Sequence, residues 1–365
     1  MKIAIDISQI IYGTGVSVYT RNLVSHLVKQ YPKDDYILFG GSFRRRRELE
    51  IFIKRLKIAS KLYMMPPKFM DLLWNSFHIL PVEKLIGAVD VIHTSDWAEP
   101  PSHLPKVTTV HDLIPFKYPQ STQDGIRVAH KKRLAWVKKE SDVILSVSRS
   151  TKDDLMELLK IPESRIIVTP EGVESFYKPQ PPSLIEIIKK KYNIKGDFIF
   201  SLSTLETRKN QQRLIEAYKV VKESVPELSL VIGGRSGWGD ALKSIDGVIL
   251  PGYIPDADLP ALYSGCLAYA LPSLYEGFSL SHLQAMACGA AVIGSDTSSM
   301  PEVIGNAGIL VDPISVGDIA AGITKGINTR ATLGKKAIER AKLFTWEETA
   351  KLTHDAYEKA YDNRN

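Results

Sequence analysis

Cysteine is nearly absent. Only Cys266 and Cys288 occur in 365 residues, both among small apolar neighbours. That excludes a disulfide framework, and no Cys/His cluster has the spacing of a zinc site. Long apolar runs are also missing, and none approaches the roughly 20 residues a membrane-crossing helix needs. The opening MKIAIDISQI carries Asp6 and lacks a signal-peptide pattern, so cytoplasmic residence is the expectation. No short-period repeat or low-complexity tract is present. Charge of one sign is only mildly in excess, at +6. With no recognition motif beside it, that excess does not support a nucleic-acid partner, but it suits nucleotide phosphates or an anionic lipid surface.

What is present is ordinary globular material, 44% hydrophobic and 24% charged, long enough for two domains at about 150 residues each. Short β-branched runs alternate with helix-period segments. The expected strands of the first half are Lys2–Ile7, Tyr36–Phe39, Val89–His93, Val107–Val110, Val143–Val147 and Ile166–Thr169. In Val16–Tyr31 the residues Val16, Tyr19, Leu23 and Leu27 share one helical face. The proline-rich FYKPQPP at 176–182 reads as a linker. A second series follows: Phe198–Ser203, Leu228–Gly233, Val248–Leu250, Leu267–Leu271, Ala291–Ile293 and Ile309–Val311. The fold class is therefore α/β, with two Rossmann-like, doubly wound parallel sheets. The expected domains are 1–178 and 179–344, with a closing amphipathic helix in 345–365. Ligands of such sheets bind beyond the carboxyl ends of the strands, which directs attention to the loops there.

Five loops carry candidate chemistry. Gly13-Thr14-Gly15 precedes a helix, where backbone can approach an anion, although a tight turn explains it equally. The dinucleotide fingerprint fails because Val18 stands where its third glycine belongs. His111, in HDLIPF, can donate to a sugar hydroxyl or a developing charge, or can simply pair with Asp112 to fix the loop. Arg208 and Lys209, in Thr204–Asn210, end a strand and begin a helix. Such a guanidinium can grip a phosphate with two parallel bonds while the ammonium adds a point charge; the alternative is a solvated basic turn, which the place at a strand end disfavours. Gly233-Gly234-Arg235-Ser236-Gly237-Trp238 reads as a flexible loop or a close backbone approach, with Arg235 either assisting phosphates or simply exposed, and the turn Leu250–Ile254, with Tyr253, offers backbone groups to a base edge. Finally, PSLYEGFSL sets Glu276 before a helix whose positive end carries the amides of Gly277, Phe278, Ser279 and Leu280. Gln284 follows on that helix, and Ser281-x-x-Gln284 also fits a capping box.

Taken in order, Gly13–Gly15, HDLIPF, Thr207–Asn210, GGRSGW, LPGYI and PSLYEGFSL–AMACG resemble glycosyltransferase family 4, across nearly the whole chain. The resemblance implies a GT-B enzyme, with an acceptor-side domain (1–178) and a nucleotide-sugar-binding domain (179–344) facing across a cleft and the last helix crossing back to the first domain. It implies a retaining, metal-independent hexosyltransferase with no cofactor. The donor would be GDP-mannose or a UDP-sugar, and the acceptor a glycan or lipid-linked saccharide of cell-surface polysaccharide or glycolipid synthesis. It assigns the donor diphosphate to Arg208, Lys209 and the Gly15 loop, and the donor sugar to Glu276 and His111. Sugar and phosphate also meet the amides of Gly277, Phe278 and Ser279. No Asp-x-Asp motif stands in a loop suited to a metal. One departure matters: the family's second glutamate, which binds ribose, is Gln284 here, and glycine is usual where Ser279 stands. Losing the carboxylate's charge-assisted bonds weakens donor binding by ~1 kcal/mol. The same departure supports an alternative, a non-catalytic GT-B-like binding subunit. The basic and apolar segment 44–74, beginning Arg44–Arg47, reads either as a face for an anionic membrane, placing the protein on the inner side of the cell membrane, or as a helix pair packed on the sheet.

Overall fold

The computed structural model describes residues 1–42, 44–235 and 245–364. The chain forms two compact units, Met1–Gly172 with Trp346–Asn365, and Val173–Thr345. The division falls between Gly172 and Val173, ahead of the expected 178/179, and FYKPQPP belongs to the second unit. Packing explains this: Tyr177 is buried there against Tyr263, and the Gln180 amide donates to Ser264 Oγ at 3.1 Å.

The first unit is a seven-stranded parallel sheet. Its strands are β1 (Lys2–Asp6), β2 (Asp35–Gly41), β3 (Ala59–Tyr63), β4 (Val91–Ser95), β5 (Lys106–Val110), β6 (Val143–Ser146) and β7 (Ile166–Val168), in the order β3-β2-β1-β4-β5-β6-β7. Strands β4, β5 and β6 are buried along their whole length, as a sheet covered on both faces requires. In 44–74 the helix Arg46–Leu56 and the helical stretches Pro67–Met70 and Asp71–Ser76, with Met70 and Trp74 buried beside Ile37 and Phe39, agree with the helix-pair reading. The strand between them was not expected: Ala59–Tyr63 pairs in parallel with β2, Ile37 facing Ala59. As a largely exposed edge strand it has no hydrophobic alternation to announce it.

The closing helix Trp346–Asp362 packs on the helix Gly15–Gln30 and on β4, β5 and β6. Trp346 and Tyr357 are fully buried. The Tyr357 hydroxyl lies 2.7 Å from His93 Nδ1, and His354 stacks on Tyr31 while Nε2 meets Asp34 at 2.8 Å.

The second unit is a six-stranded parallel sheet of β8 (Phe198–Leu202), β9 (Ser229–Gly233), β10 (Val248–Gly252), β11 (Ala268–Leu271), β12 (Val292–Ser295) and β13 (Ile309–Val311), in the order β10-β9-β8-β11-β12-β13. Helices Gln211–Ser224 and Val316–Asn328 close one face over Ile199, Leu230, Ala270 and Ile293. Each sheet has one place where the strand order reverses: between β1 and β4 in the first unit, and between β8 and β11 in the second. The connections on either side of such a reversal leave in opposite directions and open a crevice at the strand ends.

Candidate active site

The loops after β8 and β11 flank the reversal of the second sheet and hold one tight charged cluster. Lys209 Nζ lies 2.7 and 2.9 Å from the two carboxylate oxygens of Glu276. Arg208 Nη1 lies 3.3 Å from Glu276 Oε2 and also donates to the Tyr275 carbonyl, while Nη2 donates to Glu206. Two cations thus meet two carboxylates in a nearly dry place. The side chains of Arg208, Glu276, Glu206 and Lys209 are 6%, 9%, 12% and 16% exposed. Burial works against the Glu276 charge, but Lys209 and Arg208 outweigh it and hold the pKa at about 2. Glu276 is therefore held as a carboxylate, an acceptor only and unable to serve as an acid.

Local geometry explains why these residues converge. Thr207–Lys209 forms a single tight turn, and Asn210 takes a left-handed φ of 60° before the helix Gln211–Ser224. Asn210 Nδ2 ties the loops together, donating to the Pro272 and Pro313 carbonyls at 2.9 and 2.6 Å. The Leu274 amide donates to the Arg208 carbonyl at 2.8 Å. From the loop after β12, Ser298 Oγ accepts from the Glu276 amide and Ser299 Oγ donates to the Glu276 carbonyl, both at 3.0 Å. The sequence reading missed Ser298 and Ser299, whose one signal was a hydroxyl-rich run after a strand. It also gave no role to Asn210 and Glu206.

Ser279 sits at φ 73°, ψ 55° and begins the helix Leu280–Ala287. Its hydroxyl meets His282 Nδ1 at 2.6 Å. With Ser279 at that place, Ser281 lies inside the helix and the capping-box reading of Ser281 and Gln284 does not apply. Gln284 is buried, and its Oε1 lies 3.4 Å from the Tyr263 hydroxyl. Phe278 is buried edge-on to Phe344, and Gly277 and Leu280 flank these positions. Tyr253 is 54% exposed with the Arg235 guanidinium 4.7 Å over its ring. Ser236, Gly237 and Trp238 lie outside the described residues.

The remaining candidates stand on the first unit. His111, directly after β5, is buried, with Nε2 3.1 Å from Ser95 Oγ and Nδ1 3.5 Å from Glu171. It does not pair with Asp112, which instead accepts from the Ile114 amide. Gly15 opens the helix Gly15–Gln30, and a Cβ added there meets nothing within 4 Å. The first unit's packing does not require a glycine at that position.

Comparison with known proteins decides the family. Residues 13–175 match the model "Glycosyltransferase Family 4" and residues 185–344 match "Glycosyl transferases group 1". O-antigen chain mannosyltransferase B of Escherichia coli is 33% identical over 265 residues, 69% of each chain. The chain belongs to glycosyltransferase family 4. Serotype-specific mannosyltransferase WbdA of Escherichia coli is 30% identical over 69% of this glycosyltransferase, a stretch that spans 33% of WbdA itself. Among solved structures, a glycosyltransferase of Rickettsia africae ESF-5 aligns with TM-score 0.72 at 16% identity, covering 99% of each chain. Anabaena HepE in complex with UDP and glucose aligns with TM-score 0.72 at 16% identity, covering 97% and 98%. The fold class is GT-B, with two Rossmann-like units. The glycosyltransferase does contain one Asp-x-Asp pattern, Asp256-Ala257-Asp258. Asp258 is engaged by Lys191 Nζ and the Tyr192 hydroxyl, both at 2.5 Å, which leaves it poorly suited to a cation. Among the described residues no helix is long and apolar enough to cross a membrane.

Proposed function

We propose that this glycosyltransferase moves a mannosyl unit, with retention and without a metal, from GDP-mannose to a saccharide acceptor. The observation that carries the reading is the Arg208–Lys209–Glu276 cluster at the β8/β11 reversal. A leaving nucleoside diphosphate gains negative charge as the glycosidic bond breaks. Fixed cations in a dry site then act most strongly in the transition state. Arg208 and Lys209 perform the work a divalent ion does elsewhere, and Glu276 accepts from the donor's hydroxyls. The family's pattern gives His111 to the sugar, Gly15 to the diphosphate, and Gln284 to the ribose. Tyr253 and Arg235 suit the base. The acceptor hydroxyl attacks on the face the phosphate leaves, and that phosphate takes its proton, so no protein nucleophile is required. The preference for mannose rests on the relatives' names.

The test is turnover with GDP-mannose. Arg208→Ala lowers kcat by about 100-fold, the scale of losing one preorganised donor. Near-normal turnover contradicts the role, and a wild-type chain that neither transfers nor hydrolyses a nucleotide sugar favours the binding-subunit alternative.

The segment 44–74 supports a membrane-surface partner. Ile51, Met64, Phe69 and Leu72 are 46–63% exposed, amid Lys54, Arg55, Lys57, Lys61 and Lys68. Phe43 is outside the described residues, and the side chain of Pro67 is likewise undescribed. Co-sedimentation is expected with vesicles containing anionic lipid and not with neutral ones. Indifference to lipid charge removes this partner.

A further inference from the structure

Glu171 is a buried carboxylate that the donor reading does not use. It stands three residues past β7, and its side chain is 7% exposed. Among the described residues it makes no hydrogen bond, and its one ionic contact is with His111 Nδ1, at 3.5 Å. The first unit's other buried carboxylates are better held. Glu99 lies beside Lys106 and accepts from the Thr94 and Thr108 hydroxyls. Asp6 accepts from the amide and hydroxyl of Ser8, and Asp154 meets Lys117 Nζ at 2.6 Å. A carboxylate taken out of water without such partners costs stability. Packing therefore gives no reason for a glutamate at this position.

His111 is gripped on three sides. Ser95, which ends β4, places its Oγ 3.1 Å from Nε2. Tyr19 meets the ring edge-on, with centroids 4.7 Å apart at 87°, and its own hydroxyl is fixed 3.1 Å from Thr109 Oγ1. Glu171 takes the third side, at Nδ1. An ionised carboxylate only accepts, so the nitrogen facing it carries the hydrogen. Nε2 is left facing Ser95, whose hydroxyl turns between donating and accepting. Strand β4 borders the reversal of the first sheet and β7 is the sheet's edge, so the Nε2 end of the ring lies nearer the crevice.

We propose that Glu171 is a positioning residue of the transfer reaction. Through Nδ1 it fixes the tautomer of His111, so that Nε2, with Ser95 beside it, is the nitrogen presented to a hydroxyl of the donor sugar. This rests on the transferase reading and adds a residue to it. Without Glu171 the neutral ring is free to carry its hydrogen on Nε2, against Ser95 Oγ, and the nitrogen offered to the sugar changes from acceptor to donor.

The test combines long-range proton–nitrogen NMR of the full chain, labelled with ¹⁵N-histidine, and turnover of GDP-mannose. His111→Gln assigns the His111 signals. In the wild type Nδ1 is expected to carry a hydrogen, and in Glu171→Leu that hydrogen moves to Nε2. Glu171→Leu lowers kcat/KM by about tenfold, the scale of one charge-assisted contact. Glu171→Gln still offers Nδ1 an oxygen, so it keeps the wild-type tautomer and loses less turnover. Because Glu171 acts through His111, the double variant with His111→Gln and Glu171→Leu is no slower than His111→Gln alone. A bare Nδ1 in the wild type overturns the proposal, and that spectrum needs no variant of Glu171 to fold. Wild-type turnover or an unmoved tautomer in Glu171→Leu overturns it too. So does a double variant whose losses multiply, which is the result for a merely structural glutamate. A wild type without turnover of any nucleotide sugar defeats the transferase reading, whereas turnover with multiplying losses defeats the positioning role alone.

Discussion

At the scale of single residues, Ser279 shows how a departure from the family's usual glycine is accommodated. Its positive φ costs about 1–2 kcal/mol for a residue with a Cβ. Its hydroxyl recovers part of that through His282 Nδ1, a buried hydrogen bond with a net value of about 0.5–1.5 kcal/mol. The two effects nearly cancel. Ser279→Gly is therefore expected to change stability by less than about 1 kcal/mol, because it loses the bond and the strain together. Ser279→Ala keeps the strain and loses the bond, so it is the more damaging of the two. Urea midpoints of the three proteins check the order, and equal midpoints for the two variants refute this account of the turn.

At the scale of elements, the last helix is part of the first unit's core. Trp346, Ala350, Thr353, Ala356, Tyr357 and Ala360 are buried along it, and Thr349 Oγ1 donates to the Pro170 carbonyl at 2.6 Å. Removing it uncovers the helix Gly15–Gln30 and the face of β4 to β6. Deletion of 346–365 is expected to abolish the cooperative melting of the first unit while the second sheet keeps its protected amides. Trp346→Ala alone should cost about 3–5 kcal/mol. Hydrogen exchange followed by mass spectrometry separates the units, and slow exchange retained in β4 and β5 after the deletion contradicts the assignment.

At the scale of the whole molecule, acid stability follows from buried groups in both units. Burial lowers His93 to about 3 in the first unit and His282 to about 4 in the second, from an ordinary 6.5. Glu276 lies at about 2 rather than 4.5, where Lys209 and Arg208 overcome its burial. All three folded values are depressed. Their contributions are complete above the ordinary values and fade as pH falls, from 6.5 for the histidines and from 4.5 for Glu276. Asp6 acts oppositely: burial raises it from 3.8 to about 6, and the advantage of its proton is lost as pH rises through that value. The melting temperature is expected to fall as pH drops from 6.5 to 4, and His282→Gln should flatten the second unit's share of that slope. A slope unchanged by the substitution counts against His282 as its source.

The sequence by itself determined the elements and their alternation. A parallel sheet buried on both faces writes its strands as short β-branched runs, and that signal is local. It placed β8 and β11 and the residues that follow each, because a chemically distinctive loop can be read without knowing its neighbours. It did not determine β3, whose exposed edge position leaves no pattern. Nor did it give Ser298 and Ser299 a purpose, since two hydroxyls become meaningful only beside the Glu276 backbone they hold. Strand order belonged to tertiary structure alone. Contacts between β8 and β11, or β1 and β4, join residues far apart in the chain, and hydrophobic periodicity carries no information about which buried strand lies beside which. The crevices open at those two junctions, so the structure decided which of the sequence's many loops face one another.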